Sequence, residues 1–204
     1  MNKEIFDYLD KLYPNPKCEL NYDKDYELLI AVMLSAQTTD KRVNKVTKVL
    51  FNKYPSVKEL SEAKISDIEA IIREIGTFRR KAIYVHEITK KLYDDGYDYV
   101  PNDRCYIESL PGVGHKSANV FLSNIYDVPA IAVDTHVARV SKRLGLVNKN
   151  DDVLKIEKEL MEKVPKDRWS KTHHQLVLFG RYNCKATNLD CVNCGIRDCC
   201  KYKG

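Results

Sequence analysis

Leu110-Pro111-Gly112-Val113-Gly114-His115-Lys116-Ser117-Ala118 reads as the end of one helix, a tight turn and the start of the next. Pro111 cannot continue a helix, and Gly112 and Gly114 permit positive φ and close backbone approach. Such a turn aims successive amide N–H groups outward at the N-terminus of the following helix, where a phosphate can sit. That contact reads no base, so it positions a nucleic acid without specifying its sequence. A Gly-x-Gly turn by itself is often a plain connector; the whole nine-residue string is the stronger signal. Lys116 then falls just inside the second helix. The dipole there disfavours an ammonium and so favours a neutral, nucleophilic amine, and partial burial would add to the effect. A phosphate-contacting or solvated lysine is the ordinary alternative.

Working outward, helical periodicity dominates and strand alternation is not found, so the expected fold is all-α. Ile5, Leu9 and Leu12 give a first helix, ended at Pro14-Asn15-Pro16. Asp25 opens an apolar helix through Ser35, and Asp40 is expected to cap one carrying Val43, Val46 and Val49–Leu50 on one face. Further helices are expected at Val57–Ser61, Ile65–Ile75, Arg79–Tyr93, Arg104–Ser109, His115–Ile125, Val133–Leu144, Val153–Glu162 and Lys171–Tyr182, with a loop over Gly96–Pro101.

The 204 residues are 44% hydrophobic, enough for a sizeable core, and 31% charged. No run approaches the roughly 18 apolar residues of a membrane span, and the acidic N-terminal stretch does not read as a signal peptide. The expectation is a cytoplasmic, nucleoid-associated prokaryotic protein with no membrane partner. A net charge of +5 permits a polyanionic partner but does not point to one.

Five of the seven cysteines crowd the C-terminal tail: Cys184, Cys191, Cys194, Cys199 and Cys200. In an intracellular chain this pattern indicates metal rather than disulfides. The spacing C-x6-C-x2-C-x5-C lets Cys184, Cys191, Cys194 and Cys200 each supply one thiolate to a [4Fe–4S] cubane. A Cys₄ zinc site is the rival, although it more usually pairs two C-x2-C knuckles. Cys199 competes with Cys200, and the x5 spacing favours Cys200. A cluster here can replace a hydrophobic core for a segment too small to fold alone. In the stretch Ala130–Val137, Asp134 is placed both to cap a helix and to stabilise a developing positive charge.

Together and in this order, the elements resemble the endonuclease III family of helix-hairpin-helix DNA glycosylases. The resemblance runs from residues 28–40 (LLIAVMLSAQTTD) through LPGVGHKSANV and IAVDTHVARV to HHQLVLFGRYNC and the cysteine tail. It implies two helical lobes with a DNA groove between them: a hairpin-bearing barrel over 21–132, and a [4Fe–4S] lobe built from 1–20 and 133–204. It also implies a monomer acting on double-stranded DNA with damaged pyrimidines or abasic sites, flipping the damaged nucleotide from the stack. Lys116 matches the nucleophile that expels the base and forms a Schiff base, and Asp134 the acid that assists base departure. β-Elimination then nicks the strand. Gly112, Val113 and Gly114 match the phosphate-binding turn, and Gln37 a residue that fills the space left by the flipped nucleotide. Thr77 stands where the family often has a leucine wedge, which leaves Phe78 as the apolar alternative. His115 stands where many relatives carry arginine.

Three other readings remain to be weighed. An adenine-specific mismatch glycosylase shares the cysteine spacing, but usually lacks the hairpin lysine and carries a further C-terminal domain. A non-catalytic iron–sulfur protein that binds DNA or senses redox state is opposed by the presence of both Lys116 and Asp134. A zinc-stabilised protein would be colourless rather than brown.

Overall fold

The computed structural model describes residues 3–187 and 189–202, and among these there is no strand. Eleven α-helices are present among the described residues: α1 (Lys3–Leu12), α2 (Asp25–Leu34), α3 (Asp40–Lys53), α4 (Val57–Glu62), α5 (Ile65–Ile71), α6 (Phe78–Asp94), α7 (Arg104–Ser109), α8 (His115–Ile125), α9 (Thr135–Leu144), α10 (Val153–Lys163) and α11 (Trp169–Tyr182). They fall into two compact units, one spanning Glu19–Tyr126 and the other joining Met1–Cys18 to Asp127–Gly204. No described helix is long and apolar enough to cross a membrane.

In the unit spanning Glu19–Tyr126, α2 is the central element. Every residue from Tyr26 to Leu34 is buried, as a helix apolar on all sides must be. Helices α3, α6 and α8 pack on it. Its start is tied down by Glu27, whose carboxylate accepts from the amides of Asp23 at 2.8 Å and Lys24 at 3.3 Å. Helix α6 presents an amphipathic face to this core through Ala82, Val85, Ile88 and Leu92, and α4 and α5 pack against it.

The other unit buries Ile5 and Leu9 of α1 with Val137, Val140 and Leu144 of α9, Ile156 and Leu160 of α10, and Leu176 and Phe179 of α11. Burying a side chain of this size contributes roughly 1.5–3 kcal/mol, so this cluster supplies the unit's main cohesion. Ile196 joins it from the cysteine tail.

Several helix ends differ from expectation, most of them by one residue. Helix α5 stops at Ile71 because its C-cap Ile72 leaves helical backbone at φ −93°, ψ 14°, and turns and a bend follow as far as Thr77, itself left-handed at φ 56°. Helix α9 begins at Thr135 rather than Val133, because Asp134 is its N-cap and the buried residues before it are not helical. Asp40 is the first helical residue of α3 and not its cap; that position is Thr39, which makes no side-chain cap bond. Helix α11 starts two residues early, at Trp169, continuing from a 3₁₀ turn over Lys166–Arg168.

Candidate active site and metal centre

The hairpin lies between α7 and α8. Gly112 has φ +76°, and a Cβ built on it would lie 2.6 Å from Cδ2 of Tyr84 and 3.1 Å from Cγ of Met33. Left-handed backbone and close approach to α6 and α2 thus both require glycine at this position. Gly114 departs from the expectation: its φ of −106° and ψ of −179° are ordinary extended backbone, and a Cβ there meets nothing within 4 Å. As N-cap of α8 it has no side chain to cap with. The first-turn amides of a helix have no intrahelical acceptor, so a glycine cap leaves room for an external one. Val113 between the two glycines is buried.

Lys116 is the second residue of α8 and is exposed. The partial burial considered for it from the sequence is absent, and the amine faces solvent. Beside it, His115 Nδ1 lies 3.4 Å from the Glu108 carboxylate, and Glu108 also pairs with Arg104 at 3.0 Å. Arg104 in turn donates to Asn119 Oδ1 at 2.9 Å. One network therefore joins α7 to α8 at the foot of the hairpin.

Gln37 is exposed, in left-handed backbone at φ 57°, in the turn that follows α2. Thr77 is exposed and is the N-cap of α6. Phe78 is half-buried, with the Arg79 guanidinium 5.3 Å from its ring centroid. Sequence reasoning passed over the residue that connects these two turns. Lys81 is 5% exposed, and its ammonium donates to the carbonyls of Leu34 at 2.8 Å and Ala36 at 2.6 Å and lies 3.4 Å from Thr38 Oγ1. Burial pushes its pKa down from the ordinary lysine value. The available signal was register: Lys81 precedes Val85, Ile88 and Leu92 at helical spacing, on the apolar face.

In the other unit, Asp134 is half-buried and its Oδ1 accepts from the Val137 amide at 2.7 Å. The cap expected from the sequence is present, and it fixes the side chain while leaving Oδ2 without a described hydrogen bond. Helix α9, which Asp134 opens, also reaches the cysteine tail. Arg139 donates to the carbonyls of Gly180 at 2.8 Å and Cys184 at 3.2 Å. Arg143 donates to the Lys185 carbonyl at 2.6 Å and lies 3.4 Å from Cys184 Sγ.

Cys184, Cys191, Cys194 and Cys200 all line one cavity of about 320 Å³. Cys199 does not line it; its Sγ lies 3.4 Å from the Ile196 carbonyl. Burial pushes the Cys200 thiol up, and the nearby thiols of Cys184, Cys194 and Cys191 push it the same way. Among the described residues no three His, Cys, Asp or Glu side chains are grouped to hold a single metal ion.

The HhH-GPD superfamily of base excision DNA repair proteins matches over residues 30–166. Endonuclease III of Bacillus subtilis (strain 168) is 46% identical over 202 residues, covering 98% of this chain and 92% of the relative. Endonuclease III of Escherichia coli (strain K12) is 39% identical over 207 residues, covering 100% and 98%. Two solved structures superpose over 98% of this chain. One is a trapped endonuclease III–DNA covalent intermediate in an estranged-adenine complex, with TM-score 0.91, 46% identity and 96% of that chain covered. The other is a non-covalent endonuclease III–DNA complex, with TM-score 0.93, 47% identity and 93% covered.

Proposed function

This chain belongs to the endonuclease III family of the HhH-GPD superfamily, and from that membership we propose that it excises oxidised pyrimidines from duplex DNA and cleaves the strand at the resulting abasic site. The observation that carries the reading is the setting of Lys116: an exposed amine in the first turn of α8, two residues past an N-cap that has no side chain. The turn docks a phosphate against the helix terminus, which brings the sugar backbone to the lysine.

The chemistry follows from these groups. The damaged nucleotide leaves the stack at a cost of a few kcal/mol, less for a damaged base than for an intact one. The Lys116 amine attacks C1′, and the bond from C1′ to the base breaks with its electron pair going to the departing base. Asp134 stabilises the positive charge that develops on the sugar and handles the proton delivered to the base. The amine and the opened sugar form a Schiff base. Loss of a proton from C2′ then expels the 3′ phosphate oxygen, and hydrolysis of the imine returns the lysine. Gln37, with Thr77 or Phe78, fills the gap in the stack.

The hairpin-bearing lobe is assigned to residues 21–132 and the cluster lobe to 1–20 with 133–204, bounds that differ from those of the two compact units by two residues at one junction and six at the other. Cys184, Cys191, Cys194 and Cys200 are assigned as ligands of a [4Fe–4S] cluster. What supports this is the cavity that all four line together with their C-x6-C-x2-C-x5-C spacing; a cubane takes its thiolates at four separate irons. Bound there, the cluster supplies folding energy to a tail with little apolar content of its own.

The reading is tested with a duplex carrying one thymine glycol, measuring base release and strand cleavage separately, beside Asp134→Asn. Asparagine caps a helix as well as aspartate does, so this variant keeps its fold and loses only the charge. Wild type is expected to release the base and nick the strand, and the variant to slow base release about 10²–10³-fold. Wild-type protein that leaves thymine glycol untouched rejects the function; a variant of full rate rejects the role of Asp134.

A further inference from the structure

We propose that Lys81 is a positioning residue for base flipping: its buried ammonium locks the Gln37 turn to the start of α6, holding the two stack-entering turns as one rigid element. The proposal rests on the glycosylase reading above.

An ammonium has three donors, and those of Lys81 meet the Leu34 carbonyl, the Ala36 carbonyl and Thr38 Oγ1. These acceptors bracket Gln37 on both sides. Leu34 is the last residue of α2, so the cation sits at the negative end of that helix, where a positive charge is favoured. The stem of Lys81 belongs to the first turns of α6, four residues after the N-cap Thr77. One side chain therefore connects a turn in left-handed backbone at Gln37 to a second left-handed residue at Thr77. Left-handed backbone is unfavourable for both residue types and persists only where the surroundings over-determine it. The ammonium is placed to do so at Gln37: without it, the Leu34 and Ala36 carbonyls before Gln37 and the Thr38 hydroxyl after it lose this shared donor.

Burying a lysine at 5% exposure carries a desolvation cost that an apolar residue at this register would avoid. Val85, Ile88 and Leu92 on the same face show what simple core packing selects. The charge is therefore tied to the turn it organises rather than to the core it interrupts.

The test compares wild type, Lys81→Met, Gln37→Ala and the double variant. Methionine matches the length of the apolar stem and removes every donor. Flipping is read by the fluorescence of 2-aminopurine placed beside an abasic site, catalysis by base release under single turnover, and folding by circular dichroism and thermal midpoint. Lys81→Met is expected to lower flipping and base release at least about tenfold while affinity for undamaged duplex changes less than about twofold. In the Gln37→Ala background the same substitution is expected to cost less than about twofold, because a residue acting through Gln37 has nothing left to position; contacts that share a pathway fail to add in this way. Full additivity, or unchanged flipping in Lys81→Met, overturns the proposal. Should Lys81→Met not fold, Thr38→Val removes one acceptor instead and is held to the same non-additivity. Failure of the glycosylase reading is distinguished by the wild type, which would then release no base at all.

Discussion

Gly112→Ala and Gly114→Ala change the same chemistry two residues apart, and the structure assigns them opposite consequences. At Gly112 the φ of +76° places an alanine in left-handed backbone, at a cost of about 1–2 kcal/mol. The added Cβ falls 2.6 Å from the Tyr84 ring and 3.1 Å from Met33, and forcing atoms into packed surroundings costs about 1–3 kcal/mol more. The expected loss is about 2–5 kcal/mol, a large share of the stability of an ordinary domain. At Gly114 the extended backbone and open space impose no strain, and only the weaker N-cap of alanine counts, within about 1 kcal/mol. Its methyl group instead adds bulk at the N-cap, beside the place where the proposed phosphate docks. Urea midpoints measured on both variants should show Gly112→Ala strongly shifted and Gly114→Ala close to wild type. Binding of Gly114→Ala to an abasic-site duplex should weaken about tenfold, with the salt slope reduced by about one phosphate contact. The reasoning is refuted if Gly112→Ala matches wild type in stability, or if Gly114→Ala is the more unstable of the two.

The cysteine tail gives a colour test: Cys200→Ser should lose the brown 4Fe–4S absorbance and Cys199→Ser should keep it, because only Cys200 lines the common cavity; the reverse pattern would reassign the fourth ligand. Asp10 gives a pH test. Burial pushes its carboxyl up, but hydrogen bonds from Lys171, Gln175 and Arg168 outweigh that and hold it at about 2, below the ordinary 3.8. A depressed carboxylate stabilises the fold fully above its unfolded pKa and loses that contribution as pH falls toward its folded one, here about 1–2 kcal/mol. The stability difference between wild type and Asp10→Asn should therefore be flat from pH 7 to about 5 and shrink only below about pH 4; a difference that shrinks near neutrality contradicts the assignment.

How much of this was legible in the chain depends on whether a signal is local. The run Leu28–Leu34 is apolar at every position, so a buried central helix needed no further information. Asp134 before Val137 is a local cap pattern, and the cap is present. Cysteine spacing is also a local signal, and it points to Cys200 over Cys199 without any contact from elsewhere in the chain. Two glycines in one turn look alike in sequence, yet only Gly112 needs its freedom, because the demand comes from Tyr84 and Met33 far along the chain. The left-handed residues Gln37 and Thr77 are neither glycine nor asparagine, so no local preference marks them. Lys81 was hidden for a related reason: a charged residue on an apolar face is ordinarily discounted, and its acceptors lie 43–47 positions away.

The central claim is that Lys116 bonds covalently to the sugar of its substrate. Incubation of the purified protein with an abasic-site duplex and borohydride, beside Lys116→Ala, addresses it directly, since reduction turns a transient imine into a permanent link. A stable protein–DNA adduct is expected for wild type and none for the variant, with the variant still binding the duplex. No adduct from wild-type protein that binds the duplex and retains its colour, or an equal adduct from Lys116→Ala, would contradict it.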